Sequence, residues 1–192
     1  MDGSVGQATR WAVVLVLLSA VLLTLAAAPF GQLYLAWFAL APLFIAVGRA
    51  ATMRGALARV WVGGVAYYGM NLWWLWTASI PGTVVLVLYL ALFWAMAAGL
   101  VRGLGLLGPL SQRAAGAPLC VIGIATVWTA IEYVRCNYAV DFPWMPLGST
   151  QSPFVVMCQV ADLGGPWIVS FWVALPSALV AIWWMNRSER VV

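Results

Sequence analysis

The sequence contains no lysine and no histidine, and it carries few charges of either sign. Only 7% of its 192 residues are charged, whereas soluble domains usually carry about 25%. Histidine and lysine are the usual bases beside a nucleophilic serine or cysteine. The chain therefore cannot assemble a Ser-His, Cys-His or Glu-Lys-Cys site from its own side chains. We expect no catalytic residue, and no metal site or cofactor is indicated.

Cysteine is also scarce. Cys120, Cys136 and Cys158 are odd in number and widely spaced, so they do not form a disulfide framework. We interpret them as small packing residues. The alternative is a disulfide between Cys136 and Cys158, which could form if their loops meet in an oxidising compartment.

Apolar residues dominate what remains. They make up 65% of the chain, which indicates an integral membrane protein. The thirteen tryptophans fit this class, because indole rings favour lipid-water interfaces. The net charge of +4 comes from scattered arginines, a pattern typical of membrane orientation and lipid contact rather than of nucleic-acid binding.

Six apolar runs predict an all-α fold, a polytopic bundle of about six transmembrane helices that forms one domain over residues 1–192. The first run would be a helix of about 27 Å, close to the ~30 Å hydrocarbon core. A signal peptide is the alternative for this run, because it ends in three alanines and follows a short lead with Arg10. The predicted helices are residues 11–28, 33–47, 60–75, 83–101, 119–134 and 166–185.

Two of these runs contain residues that shape membrane helices. Pro42 in the second run predicts a kink or a re-entrant segment. Gly63, Gly64 and Gly69 in the third run predict close packing against a neighbouring helix.

The arginines are distributed unevenly between the two predicted faces of the membrane. Eight lie near one face, and only Arg135 lies near the other. By the positive-inside rule, we expect the arginine-rich side and both termini, Met1 and Val192, to be cytoplasmic. Residues 142–151 should then lie outside.

Polar residues concentrate in one segment, residues 128–167, which contains three of the five acids. We interpret it as a loop at a membrane face, with Asp141 solvated. Glu132 and Arg135 share a helix face, so we expect a structural ion pair that lowers the penalty of about 2.5–3.5 kcal/mol for a lone charge at mid-bilayer. A lipid cleft is the alternative. A charge-swapped pair should then recover part of the stability that Glu132→Gln loses.

This segment resembles the apolipoprotein N-acyltransferase family, whose pattern here runs W-x-x-x-E-x-x-R, then F-P-W, then L-G-x-x-Q. The matching residues are Trp128, Glu132, Arg135, Phe142, Pro143, Trp144, Leu147, Gly148 and Gln151. The family moves an acyl chain from a phospholipid to the N-terminal cysteine of a lipoprotein, through a thioester on a nitrilase-type cysteine. The resemblance covers the membrane region and implies that the nitrilase-like domain is not part of this chain.

The Phe-Pro-Trp corner has two interpretations. Pro143 forces a bend, and Trp144 could anchor at the interface or form the wall of an acyl-chain pocket. The residues alone favour the anchor, whereas the resemblance implies that the loop holds lipid near the entrance of the catalytic domain. The candidate lipid contacts are Phe142, Pro143, Trp144, Gln151, Asn71 and Trp73.

Our first hypothesis is the membrane region of an N-acyltransferase in the bacterial inner membrane, acting on phospholipid for lipoprotein N-acylation. It would be a truncated form or half of a split enzyme with a separate nitrilase-like catalytic subunit. The alternative is a non-enzymatic membrane scaffold or lipid-binding partner, for example of a polyprenyl-linked glycosyltransferase. A small transporter is less favoured, because no central acid or broken-helix pair is evident.

Overall fold

Helices form all the regular structure in the computed structural model, which describes residues 2–113, 115–139 and 142–189. The α-helices are α1 (Asp2–Ala26), α2 (Leu33–Ala39), α3 (Ala41–Gly48), α4 (Met53–Asn71), α5 (Ile80–Gly103), α6 (Pro109–Gln112), α7 (Ala117–Val134), α8 (Val155–Cys158) and α9 (Gly165–Glu189). Tighter 3₁₀ turns cover Trp73–Thr77, Leu147–Gln151 and Gln159–Leu163, and a π-helical turn covers Arg135–Ala139. The predicted all-α membrane helix bundle is confirmed.

Four helical stretches among the described residues are long and apolar enough to cross a membrane on their own. They are Thr9–Ala26, Ile80–Gly103, Ala117–Ala139 and Gly165–Arg187. The stretch Leu33–Gly48 is apolar but shorter, and α4 is less apolar because it contains two arginines and several polar or small residues. The count of six crossings therefore stays a prediction.

α4 and α5 pack as an antiparallel pair, with Gly64 beside Ala91 and Leu57 beside Gly99. α1 and α4 run parallel, because the α2–α3 segment returns between them, and Asn71 lies beside Thr24. This arrangement gives the bundle two ends. We call one the loop face, formed by residues 72–79, 135–139 and 142–165. The other is the arginine face, where helix ends and connections carry most of the arginines; Arg190, Met1 and Val192 lie outside the described residues.

Small residues bring the helices of the core together. Gly63 of α4 lies against Val16 of α1, and Gly64 lies against Ala91 of α5. A Cβ atom at Gly64 would lie only 3.0 Å from the Ala91 Cα atom, so a larger residue would push the helices apart. The close packing predicted for these two glycines is confirmed, whereas Gly69 has no such neighbour.

The second apolar run is broken where Pro42 predicts a kink. α2 ends at Ala39, and Pro42 stands in the first turn of α3. The break frees backbone groups that must be satisfied inside the bundle. Ser177 of α9 accepts a hydrogen bond from the Leu40 amide (3.1 Å) and donates one to the Trp37 carbonyl (3.0 Å), so this helix break is closed by side chains.

One sequence boundary needs correction. α4 begins at Met53 rather than at residue 60, because the Thr52 hydroxyl caps it by accepting from the Gly55 amide (3.1 Å). Arg54 and Arg59 therefore lie on the helix and not in a loop. α1 contributes buried core residues such as Ala20, which favours an integral helix over a signal peptide.

Candidate functional site

Glu132 lies near the end of α7 and is only 8% exposed. Its Oε1 atom accepts hydrogen bonds from the Trp128 indole N–H (3.1 Å) and from the Leu147 amide (2.9 Å). Trp128 lies one turn earlier on the same helix, which explains the W-x-x-x-E spacing. We call the connection between α7 and α9 the central loop, and the Leu147 contact ties this loop to α7. Its Oε2 atom is buried and makes no hydrogen bond that meets the usual geometry with the described residues, although the Ser170 hydroxyl lies close to the carboxylate.

Arg135 opens the π-helical turn after α7 and is 1% exposed, the largest of the fully buried side chains. Its Nη1 atom donates to the carbonyl oxygens of Phe142 (3.1 Å) and Trp144 (3.0 Å). The guanidinium also lies 5.9 Å from the centre of the Tyr68 ring. Charged hydrogen bonds to two carbonyls on one corner hold the loop against the helix end.

The structural ion pair expected between Glu132 and Arg135 stays a prediction, and the structure shows how each side chain is held. Within the described part of the chain, no hydrogen bond joins the two side chains. The carboxylate is held by N–H donors and the guanidinium by carbonyl acceptors, because the loop folds back over the helix end and supplies both. The two charges stabilise each other through the space between them rather than by contact.

Both side chains line a small cavity in the loop-face half of the bundle. Aromatic side chains of α4, α5 and α7 surround it, and Glu132 and Arg135 provide its charged wall. Its free volume is about 20 Å³, which is enough for one water molecule but not for a lipid headgroup. The cavity is lined by Leu23, Tyr67, Tyr68, Phe93, Trp94, Ala97, Trp128, Ile131, Glu132, Arg135, Met145 and Leu147.

Gly148 is the point where the central loop crosses the beginning of α9. Its amide donates to the Ser170 hydroxyl (2.8 Å). A Cβ atom at residue 148 would lie 2.6 Å from the Pro166 carbonyl oxygen and 2.9 Å from the Ser170 nitrogen, which are backbone atoms that cannot easily move. Only glycine fits this crossing.

Gln151, one of the candidate lipid contacts, lies inside the bundle. It is 0% exposed. Its amide group accepts from the Trp37 indole N–H (3.1 Å) and donates to the Leu33 carbonyl (3.1 Å). It therefore fastens the loop to α2.

Asn71 is also engaged with the chain itself. Its side-chain amide donates to the Thr24 hydroxyl (2.8 Å) and to the Tyr67 carbonyl (2.7 Å). The bond to Thr24 joins the end of α4 to α1. The side chain is half-buried, so its part in a lipid site would be indirect.

Three aromatic rings stack at the loop face, and we call Phe142, Trp144 and Trp74 the aromatic cluster. The Trp74 and Trp144 rings are 4.8 Å apart at 22°, and the Phe142 and Trp144 rings are 5.4 Å apart at 27°. Trp144 is 45% exposed and Trp74 is also exposed. The structure thus brings two of the predicted contacts together with Trp74, which was not among them.

The other predicted contacts lie beside the aromatic cluster. Pro143 is exposed between Phe142 and Trp144, and Trp73 is 65% exposed next to Trp74. Asp141 lies outside the described residues.

The three cysteines are free thiols, so the disulfide left open between Cys136 and Cys158 is not formed. Cys120 and Cys136 are buried, and Cys158 is half-buried with its thiol directed at the Gln151 carbonyl (3.5 Å). Cys120 and Cys136 therefore match the expectation of packing residues.

The family model and the related proteins that match this chain all belong to one family, the apolipoprotein N-acyltransferases. The sequence model of the apolipoprotein N-acyltransferase N-terminal domain matches residues 19–179. An apolipoprotein N-acyltransferase of Geobacter metallireducens is 34% identical over 179 residues, which covers 85% of this chain and 32% of the relative. One from Azotobacter vinelandii is 35% identical over 179 residues, covering 86% and 33% respectively. The chain thus spans about a third of the length of these curated relatives.

Proposed function

Since the chain belongs to the apolipoprotein N-acyltransferase family, we propose that it is the membrane region of such a protein and holds phospholipid at its aromatic cluster. The single observation that carries this proposal is the stack at the loop face in which the exposed rings of Trp74 and Trp144 rest on the half-buried Phe142.

The chemistry of the cluster suits the glycerol region of a phospholipid. Indole rings combine a broad apolar face with one N–H donor, so they settle where acyl chains meet headgroups. The buried Arg135 clamp fixes the backbone on both sides of Pro143, so Phe142 and Trp144 keep their stacked geometry without a ligand. A surface that is ordered before binding loses less entropy when lipid binds.

The arginine distribution supports the orientation of this site. The arginine face would lie in the cytoplasm and the loop face outside, with both termini cytoplasmic. In a bacterial inner membrane, the aromatic cluster would then meet the outer leaflet. The chemistry of lipoprotein N-acylation would come from a nitrilase-like catalytic part on another polypeptide or on a longer form of this one, because these 192 residues contain neither histidine nor lysine.

Photo-crosslinking tests the lipid site. The full chain is reconstituted in nanodiscs with a phospholipid that carries a diazirine close to the glycerol backbone, and adducts are located by mass spectrometry. We expect them to concentrate on residues 73–76 and 142–144. The double variant Trp74→Ala/Trp144→Ala should weaken lipid capture there roughly fivefold or more, because two aromatic contacts of about 0.5–1.5 kcal/mol each are lost.

The matched control is Trp183→Ala/Trp184→Ala, which removes an exposed tryptophan pair near the other end of the bundle. This variant should leave the adducts at the loop face unchanged. Equal labelling of both faces in the native chain, or no loss in the Trp74/Trp144 variant, would show that the aromatic cluster only anchors the bundle in the interface.

A further inference from the structure

Two side chains that line the small cavity of the loop-face half each carry a polar atom without a hydrogen-bond partner. Glu132 Oε2 and Arg135 Nη2 are both buried and both lack a hydrogen-bond partner among the described residues. Their side chains line the same cavity. A charged group that is buried without a hydrogen-bond partner costs more free energy than a neutral group in the same position. We therefore expect both atoms to have a partner.

We infer that this cavity is a binding site for one ordered water molecule that bridges Glu132 Oε2 and Arg135 Nη2. The inference rests on the fold and does not depend on the proposed function. A water site needs about 10–15 Å³ and two to four polar partners. The cavity has about 20 Å³ and provides two charged partners, with Tyr67 and Tyr68 also in its lining.

Hydrogen-bond chemistry selects water over other small species. The bridging molecule must accept from the guanidinium and donate to the carboxylate. An ammonium or metal cation cannot accept, and Arg135 would repel it. A chloride ion cannot donate, and Glu132 would repel it. Water does both and adds no charge to a buried site where the two side chains already neutralise each other.

The position of the water links it to the loop. Arg135 uses Nη1 for the Phe142 and Trp144 carbonyls, so a water on Nη2 fixes the orientation of the same planar guanidinium from the other side. Glu132 likewise uses Oε1 for Leu147, which leaves Oε2 for the water. The water would thus complete the polar connection between the helix end and the loop corner.

Radiolytic footprinting of the full chain in nanodiscs tests this site. X-ray irradiation of an ordered water generates a hydroxyl radical where the water is bound, and the radical oxidises adjacent side chains even when they are buried. We expect oxidation of Tyr67 and Tyr68 to exceed that of Met185, which is similarly buried but lies away from the cavity. Because methionine is intrinsically the more reactive residue, each oxidation yield is divided by the yield of the same residue in the denatured chain before the two are compared. A radical scavenger in the bulk should suppress oxidation of the exposed Trp73 without affecting the two tyrosines.

The variant Glu132→Met removes one partner of the water and fills part of the cavity. It should lower the oxidation of Tyr67 and Tyr68 to the level of Met185. If this variant does not assemble, the wild-type comparison decides alone. Tyrosine oxidation no greater than that of Met185 would overturn the inference, and so would oxidation that falls with the scavenger in parallel with Trp73, because the cavity would then simply be open to bulk solvent.

Discussion

Arg135→Met should lower the free energy of unfolding of the bundle by about 3–5 kcal/mol, the range found when one member of a buried charge pair is removed. The substitution keeps an unbranched apolar chain but leaves the carbonyls of Phe142 and Trp144 without their donor. It also leaves Glu132 as an uncompensated buried charge. Denaturant unfolding in mild detergent, followed by tryptophan fluorescence, measures the loss.

Arg187→Met provides the matched control for this prediction. Arg187 is exposed and lies 5.3 Å from the centre of the Trp183 ring, so its removal should cost no more than about 1 kcal/mol. Arg135→Lys should be intermediate, because an ammonium keeps the charge but loses the planar fork of donors. Equal and small effects of Arg135→Met and Arg187→Met would mean that water reaches the Arg135 guanidinium and that it does not hold the loop.

The charge-swapped double variant Glu132→Arg/Arg135→Glu should be less stable than either Glu132→Gln or Arg135→Met. A direct ion pair would tolerate the swap, and the sequence alone favours that outcome. In the structure, a carboxylate at residue 135 would face two carbonyl oxygens. A guanidinium at residue 132 would face two N–H donors, those of Trp128 and Leu147. Each exchanged group would therefore face groups with which it cannot form a hydrogen bond. The free-energy cost of removing its charge from water would not be compensated.

The same unfolding assay in detergent measures this variant. The single variant Glu132→Gln is the reference, because it keeps an oxygen acceptor for Trp128 and Leu147 and removes only the charge. We expect it to cost about 1–3 kcal/mol. If the double variant were more stable than Glu132→Gln, the two side chains would have to pair directly, and the description of Arg135 as a carbonyl clamp would be wrong.

The elements that the sequence could predict are those set by local patterns. Long uncharged runs gave the membrane helices, Pro42 gave the break between α2 and α3, and the pair of glycines in α4 gave the closest helix contact. The helix ends were less certain, because a single capping side chain such as Thr52 extends a helix by nearly two turns into a region that composition assigns to a loop.

The polar connections of the site could not be predicted in the same way. The acceptors of Arg135 are backbone carbonyls, which every residue carries, so no residue type marks them. Gln151 meets Trp37 across 114 positions of sequence, and its burial depends on how the loop returns over α2. Trp74 was missed for a similar reason. It lies in the connection between α4 and α5, whereas its stacking partner Trp144 lies in the connection between α7 and α9.

An acyl-transfer assay on the purified chain tests most directly the claim that this bundle holds phospholipid but does not supply the reacting nucleophile. The chain in nanodiscs is given phospholipid and a lipopeptide with a free N-terminal cysteine, and N-acylated product is measured against empty nanodiscs. We expect no product above the empty control in samples where the diazirine lipid does crosslink at the aromatic cluster. Cys136 is buried and no histidine or lysine is present to activate a thiol. Product that disappears in Cys136→Ser or Cys158→Ser would contradict the account, because the chemistry would then reside in the membrane bundle itself.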